Sequence, residues 1–358
     1  MWNKTKVTQL LGINYPIIQG PFGGRFSSAK LVAAVSNLGG MGSFGLNSYS
    51  PEEILKVNST IQALTKKTYG LNLWVPQKSS SPKIFGQEQF EIVKTMFKPY
   101  FDALNVPLPE TLPAAQAQNF DQQMEAILQA SPPVMSFIFG VPPQEVIQEL
   151  RKRQTVVIAT ATHPEEALLL EEAGVDIIVA SGAQAGGHRA WFLPKNKGVL
   201  MDTSSLLTQT IAQVKTPIIA AGGITNGQEA FAALQAGASA VQIGTAFLAT
   251  QESNAPDVHK HKLLQEVPQT NLSQTFTGRL GRVISNPLSL QNIPTDKLAP
   301  YPLQSTFLSP LRKVALEQHQ HDYVGFWSGQ FSIPLQHTSA SSLFRSLIDE
   351  INNLNPIS

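Results

Sequence analysis

Eight short apolar runs recur along the chain, and most are followed by a stretch of helical period. That alternation constrains the fold more than any other feature. The runs are PIIQ (16–19), MGSF (41–44), YGLNLWV (69–75), VMSFIF (134–139), TVVIAT (155–160), DIIVAS (176–181), PIIAAG (217–222) and AVQIGT (240–245). Short, nearly continuous apolar stretches of this kind suit strands buried on both faces. Such strands alternating with helices form parallel βα units, and eight in succession predict a TIM (β/α)8 barrel. The helix starts agree. Ser50-Pro51-Glu52-Glu53 and His163-Pro164-Glu165-Glu166 both set proline early and carboxylates in the first turn, and Gly174 follows EEALLLEEA as a C-terminal stop.

The rhythm breaks twice, which divides the chain. Residues 1–76 and 133–250 carry the expected barrel, and 77–132 form an insertion after strand three. Its segments QEQFEIVKTMFKPYFDAL and NFDQQMEAILQA have helical period, so a helical cap over the substrate side is expected. Residues 251–358 form a C-terminal extension packed on the barrel. It reads as irregular from about 252 to 330 and ends in a closing helix, SASSLFRSLIDEINNL.

Composition narrows the ligands. Lys and Arg total 26 against 25 Asp and Glu, so no charge excess points to nucleic acid or to an anionic membrane. The absence of cysteine removes disulfides, thiolate nucleophiles, zinc–thiolate sites and iron–sulfur clusters. The seven histidines include no HExxH motif, and no metal site is expected. The N-terminus lacks a signal-peptide apolar core, and no apolar run approaches the ~18 residues of a membrane span. A soluble cytoplasmic protein acting on small molecules is the expectation.

In a TIM barrel the site lies where the strands end at their C-termini. AAGGI (220–224) and QIGT (242–245) follow strands seven and eight, where such barrels hold phosphate on backbone N–H groups. Gly222, Gly223 and Gly244 would let the backbone approach an anion, and Thr245 adds a hydroxyl. One glycine could merely make a tight turn; two such turns after consecutive late strands point to phosphate. ASGAQAGGHRA (180–190) follows strand six and delivers His188 to the same mouth. A histidine there can exchange a proton near neutral pH, or can simply be a loop residue bonded to backbone. Asn72 ends strand three, where an amide can meet a heterocycle edge, and QGPFGG (19–24) can pass its backbone close to a flat ring.

Taken in order, PIIQGPFGG, GGMGSFG, GLNLWVP, SGAQAGGHRA, PIIAAGGI, ALQAGASAVQIGTAFLAT and TGRLGRVISN resemble the nitronate monooxygenase family, formerly called 2-nitropropane dioxygenases, from about residue 7 to 330. The insertion after NLWVP, with YPLQSTFLSPLR and FWSGQ, looks most like the bacterial class I branch acting on propionate 3-nitronate. The resemblance implies FMN on the barrel, oxidation of alkyl nitronates with O2 to a carbonyl compound and nitrogen oxyanions, and His188 as the active-site histidine. His188 would hold the anionic nitronate if protonated, or remove the α-proton of a neutral nitroalkane if neutral. Asn72, Gly186, Gly223, Gln242, Ile243, Gly244 and Thr245 match the family's flavin contacts. Two positions depart from QGxEAGGH: Ser181 stands for the glutamine and Gln184 for the glutamate, so a flavin contact at 181 is shortened to a hydroxyl. Tyr100 and Tyr301 are candidates for the substrate pocket. An FMN-dependent enoyl-thioester or quinone reductase using NAD(P)H is the alternative enzyme, and a phosphate-ligand binding barrel without redox activity is a third reading.

Overall fold

The computed structural model describes residues 1–77, 85–111, 119–291 and 293–355. Its strands are β1 (Ile17–Gln19), β2 (Met41–Gly45), β3 (Tyr69–Trp74), β4 (Val134–Ile138), β5 (Val156–Ala161), β6 (Ile177–Ser181), β7 (Gly187–His188), β8 (Ile218–Ala221), β9 (Ala240–Ile243), β10 (Thr270–Ser273) and β11 (Gly281–Ile284). Eight of them close a parallel barrel in the order β1-β2-β3-β4-β5-β6-β8-β9. Closure runs through Ile17↔Val241, Ile18↔Gln242 and Gln19↔Ile243. The eight apolar runs are these eight strands, with ends that differ by no more than two residues. They form a TIM barrel, as the alternation predicts.

Two apolar layers explain why the runs carry so little polar alternation. Inside the barrel, Ile18, Met41, Val134, Ile158, Ile177, Val179 and Ile219 pack with Val7 and Leu11 of the N-terminal helix Lys6–Leu11. That helix plugs the N-terminal end of the barrel, which leaves the opposite end as its mouth. Outside, the strands pack on amphipathic helices whose caps follow the sequence. Ser50 and Glu53 form a capping box on Pro51–Leu64, and Gly174 ends Pro164–Ala173 at φ 83°.

The segments outside the eight repeats pack in two directions. Helix Phe120–Ala130 lies in the main core through Met124, Ala126 and Ile127, and its buried Gln123 donates to the carbonyl of Tyr49 at 2.8 Å. Helix Gln87–Ala103 instead buries Phe90, Val93, Phe97 and Phe101 against Leu298, Phe307, Leu311 and Phe326 of the C-terminal extension. The extension is more ordered than its irregular sequence suggests. It holds helix Asp257–Gln265, the antiparallel pair β10–β11, helices Leu303–Phe307 and Ser309–Glu317, and the expected closing helix Ala340–Leu354. Strands of sequence TNLS and GRVI are too short and too mixed in polarity to declare themselves. Among the described residues no helix is long and apolar enough to cross a membrane.

Candidate active site

The mouth of the barrel is built by two different means, backbone on one side and side chains on the other. On the first side the turn after β8 places Gly222 and Gly223 at φ 112° and 74°, a region that favours glycine. The loop after β6 is locked to that turn. Gln184 Oε1 accepts from Thr203 N and from Thr203 Oγ1, both at 2.9 Å, and Thr203 Oγ1 lies 2.8 Å from the Gly222 carbonyl. The departure at Gln184 is therefore a loop-fastening residue, and an amide oxygen serves there as a carboxylate oxygen would.

Gly186 admits the FWSGQ segment, whose place in the fold no periodicity discloses. A Cβ at Gly186 would stand 2.6 Å from Gly329 N and from the Ser328 carbonyl carbon. Ser328-Gly329-Gln330 thus lies across the loop, held by Gly329 N to Thr245 Oγ1 at 2.8 Å and by Gln330 N to the Gln184 carbonyl at 2.8 Å. The Thr245 hydroxyl accepts that bond and keeps its proton to donate. Gly244 precedes Thr245, and a Cβ built on it would meet nothing within 4 Å. Space is open at Gly244 and closed at Gly186.

Three polar side chains expected at a heterocycle edge sit at or near the C-terminal ends of their strands. Asn72 is buried and donates through Nδ2 to Ser136 Oγ at 2.9 Å, while its Oδ1 accepts no hydrogen bond among the described residues. Gln242 lies against Gly20, whose added Cβ would be 3.5 Å from Gln242 Nε2, and its amide is likewise without a partner among the described residues. The Ser181 carbonyl accepts from Arg189 Nη2 at 3.2 Å, and its hydroxyl has no partner among them either. Ile243 is buried, with its carbonyl accepting from Gly20 N at 3.0 Å, so its contribution is backbone.

His188 belongs to the second side. It is not a free loop residue: β7 is the third strand of a small antiparallel sheet, with His188 opposite Gly281 and Gly187 opposite Arg282. Its Nε2 lies 2.9 Å from Thr277 Oγ1. The Thr277 hydroxyl donates to the Arg279 carbonyl at 3.1 Å, which leaves its oxygen to accept from the imidazole. With the Thr277 proton on the Arg279 carbonyl, the tautomer that completes this chain carries its proton on Nε2. Aromatic rings wall it in: Trp327, Tyr301 and Trp74 have centroids 4.9, 5.4 and 5.8 Å from the imidazole. Burial first, and the Arg279 charge second, push the His188 pKa down to about 3. The imidazole is neutral at neutral pH.

The C-terminal extension supplies much of this second side. Thr277 and Arg279 come from the β10–β11 connection, Tyr301 from the stretch after it, and Trp327 bridges to Val283 of β11. Tyr301 is beside His188, whereas Tyr100 packs on Phe97 and Tyr323 at 5.9 and 6.3 Å. The two candidate tyrosines are thus not brought together. Periodicity could not reveal Thr277, Arg279 or Trp327; the only signal was that TGRLGRVISN and FWSGQ are rich in glycine, arginine and aromatic residues without being regular elements. Two histidine pairs at i, i+2 spacing, His259/His261 and His319/His321, also occur in the extension. Among the described residues no cluster of three or more metal-ligating side chains is present.

A closed parallel barrel, with glycine turns and an imidazole at one mouth, defines a TIM-barrel enzyme with its site at the C-terminal face. Comparison with known proteins narrows the class. The family model described as nitronate monooxygenase matches residues 4–350. A probable nitronate monooxygenase of Staphylococcus aureus (strain Newman) is 35% identical over 357 residues, with 99% of each chain covered, and one of Staphylococcus saprophyticus is 36% identical over 354 residues, with 98% of each chain covered. Among solved structures, the nitroalkane oxidase from Streptomyces ansochromogenes aligns with TM-score 0.85 at 31% identity over 98% of both chains. FabK from Thermotoga maritima aligns with TM-score 0.73 at 25% identity, over 98% of this chain and 97% of that one. The chain belongs to the nitronate monooxygenase family, a family of flavin-dependent oxidoreductases.

Proposed function

We propose that the protein is an FMN-dependent monooxygenase that oxidises alkyl nitronates with O2 to a carbonyl compound and nitrogen oxyanions, propionate 3-nitronate being the substrate type its family branch suggests. The residues present fit the cofactor. Open space at Gly244, the donor proton of Thr245 and the turn at Gly222 and Gly223 suit a terminal phosphate, and the unpartnered Asn72 Oδ1 and Gln242 amide suit a ring edge with both donors and acceptors. Bound flavin supplies electron acceptance and the reaction with O2.

The neutral state of His188 carries the choice of substrate. A general base works best when its pKa lies near the working pH, and an imidazole held down to about 3 is far from that range. His188 therefore does not abstract the α-proton, so the substrate arrives already deprotonated. Trp74, Tyr301 and Trp327 keep water from the reacting carbon and hold the imidazole in one orientation. The nitroalkane oxidase likeness supports the chemistry of the nitro group in general.

Anaerobic mixing of the flavin-loaded protein with propionate 3-nitronate, and separately with NADH, tests the reading. Nitronate should bleach the flavin and consume O2 on aeration, and NADH should leave the spectrum unchanged. Under aerobic turnover, kcat/KM for a nitronate should exceed that for its parent nitroalkane by about 10²-fold or more, the scale of a missing general base. Reduction by NADH with no response to nitronate would replace this reading with a nicotinamide-dependent reductase.

A further inference from the structure

Arg279 is a half-buried cation that the fold does not neutralise. No carboxylate lies within ion-pair distance of it among the described residues, and the others, 78–84, 112–118, 292 and 356–358, contain no Asp or Glu. Three other arginines near the barrel mouth or its rim are matched to partners. Arg25 pairs with Glu53 at 2.9 Å, Arg189 Nη1 donates to the Gly182 carbonyl at 2.6 Å, and Arg282 Nε donates to the Ala183 carbonyl at 3.0 Å. Among the described residues, the guanidinium of Arg279 is engaged only through Nη2, which donates to the side-chain Oε1 of Gln77.

The surroundings hold this guanidinium in place without quenching its charge. Its Cζ lies 3.8 Å from the centroid of Phe139 and 5.8 Å from that of Tyr301. Phe139 adopts φ 74°, a conformation costly for a bulky residue, and its ring also packs at 4.5 Å on Trp74. Strain of that kind persists where the neighbourhood imposes it, and here it sets a ring beneath a cation. Tyr301 and Trp74 both border His188, so the guanidinium faces the same chamber as the imidazole.

We propose that Arg279 is the specificity-determining residue of the site, an anion-recognition group that takes a planar oxyanion of the substrate on its free N–H fork. A carboxylate and a nitronate share that shape, two oxygens on one trigonal centre, and a rigid guanidinium pairs with either in two parallel bonds. Arg279, and not His188, then supplies the positive charge for an anionic substrate. The identity of the anion rests on the nitronate reading; the anion site itself does not.

The test uses the full-length, flavin-loaded protein and the variants R279Q and R279K. Propionate 3-nitronate carries both oxyanions, and 1-propylnitronate carries only the nitronate. In R279Q, KM should rise about ten- to hundred-fold, the scale of a lost hydrogen bond to a charged group, while kcat changes only a few-fold. A rise for both substrates places the nitronate on Arg279; a rise for propionate 3-nitronate alone places the carboxylate there. Inorganic nitrate, a planar oxyanion, should quench tryptophan fluorescence in the wild type and bind more weakly in R279Q. R279K keeps the charge but loses the fork, so its nitrate affinity should also fall, which preserves the test if R279Q does not fold. Unchanged KM for both nitronates, or equal nitrate affinity in wild type and variants, overturns the proposal. A wild-type protein that binds nitrate through Arg279 yet leaves nitronates untouched would remove the proposed function and leave this site standing.

Discussion

The two sides of the barrel mouth are made of different material. The side at Gly186, Gly223, Gly244 and Thr245 is backbone brought close, where the absence of side chains is the working feature. The side at His188 is a box of Trp74, Tyr301 and Trp327 around one imidazole, with Thr277 bonded to it and Arg279 against Tyr301, and there side chains do the work. The first side gains its geometry from strands that end in register. The second depends on a β-pair and a loop that reach the mouth from about a hundred residues further along the chain, as the pairing of His188 with Gly281 shows. A perturbation of the first should act on backbone clearance, and one of the second on charge and packing.

Adding a single methyl group to each of two glycines should separate clearance from occupancy, with the largest effect of the set. In Gly186→Ala the new Cβ would fall 2.6 Å from backbone atoms of Ser328 and Gly329, which cannot yield as a flexible side chain can. Overpacking of this kind costs about 1–3 kcal/mol, so the melting temperature should drop by a few degrees and the Gly329 to Thr245 bond should be lost. In Gly244→Ala the Cβ meets nothing within 4 Å, so the melting temperature of the flavin-free protein should hold while flavin retention falls. Equal melting temperatures for Gly186→Ala and wild type would show that the Ser328–Gly329 segment is not seated on Gly186. Full flavin retention in Gly244→Ala would move the phosphate elsewhere.

The contrast also explains what the sequence discloses. Parallel strands buried on both faces write themselves as apolar runs, and their C-terminal turns fall at known places, so Gly223, Gly244, Thr245 and His188 can be located by counting strands. The same counting fails for Arg279 and Trp327, because nothing in GRVI or FWSGQ says that these segments pair with β7 or cross Gly186. Tyr100, named with Tyr301 by analogy to the family, packs instead on Phe97 and Tyr323, contacts that its place in the sequence does not disclose. Position along a repeat is legible, whereas contacts between a repeat and a distant irregular segment are set by tertiary packing alone.

Acid should weaken the side-chain half before the backbone half. Burial holds His188 at about 3, and it holds His259, whose Nε2 donates to the Trp327 carbonyl at 2.7 Å, at about 4. Both values lie below the ~6.5 of an unfolded histidine. Above that pH neither state is protonated and the stability is fully present. As pH falls from about 6.5 toward 4, the unfolded chain takes up protons that the folded chain refuses, so stability decreases by up to about 1.4 kcal/mol per pH unit for each histidine. Between pH 6.5 and 5, above the ordinary carboxylate range, melting temperature should decline steadily, and His259→Gln should flatten the decline. A wild-type melting temperature constant across that window would mean that these imidazoles titrate normally in the folded protein.

The smallest expected effect lies where the two halves meet, at Ser181. Its carbonyl is held by Arg189 Nη2 at 3.2 Å, so the backbone there is fixed independently of the side chain, and its hydroxyl is without a partner among the described residues. In Ser181→Gln the longer amide can reach further into the mouth and both donate and accept. One added hydrogen bond contributes about 0.5–1.5 kcal/mol net, so flavin affinity should tighten by roughly two- to tenfold, or the flavin reduction potential should shift, with His188 and Arg279 undisturbed. Flavin titration and a potential measurement on both proteins decide it. Identical affinity and potential would mean that position 181 does not touch the flavin, and would leave Asn72 and Gln242 as the side chains available to the ring edge.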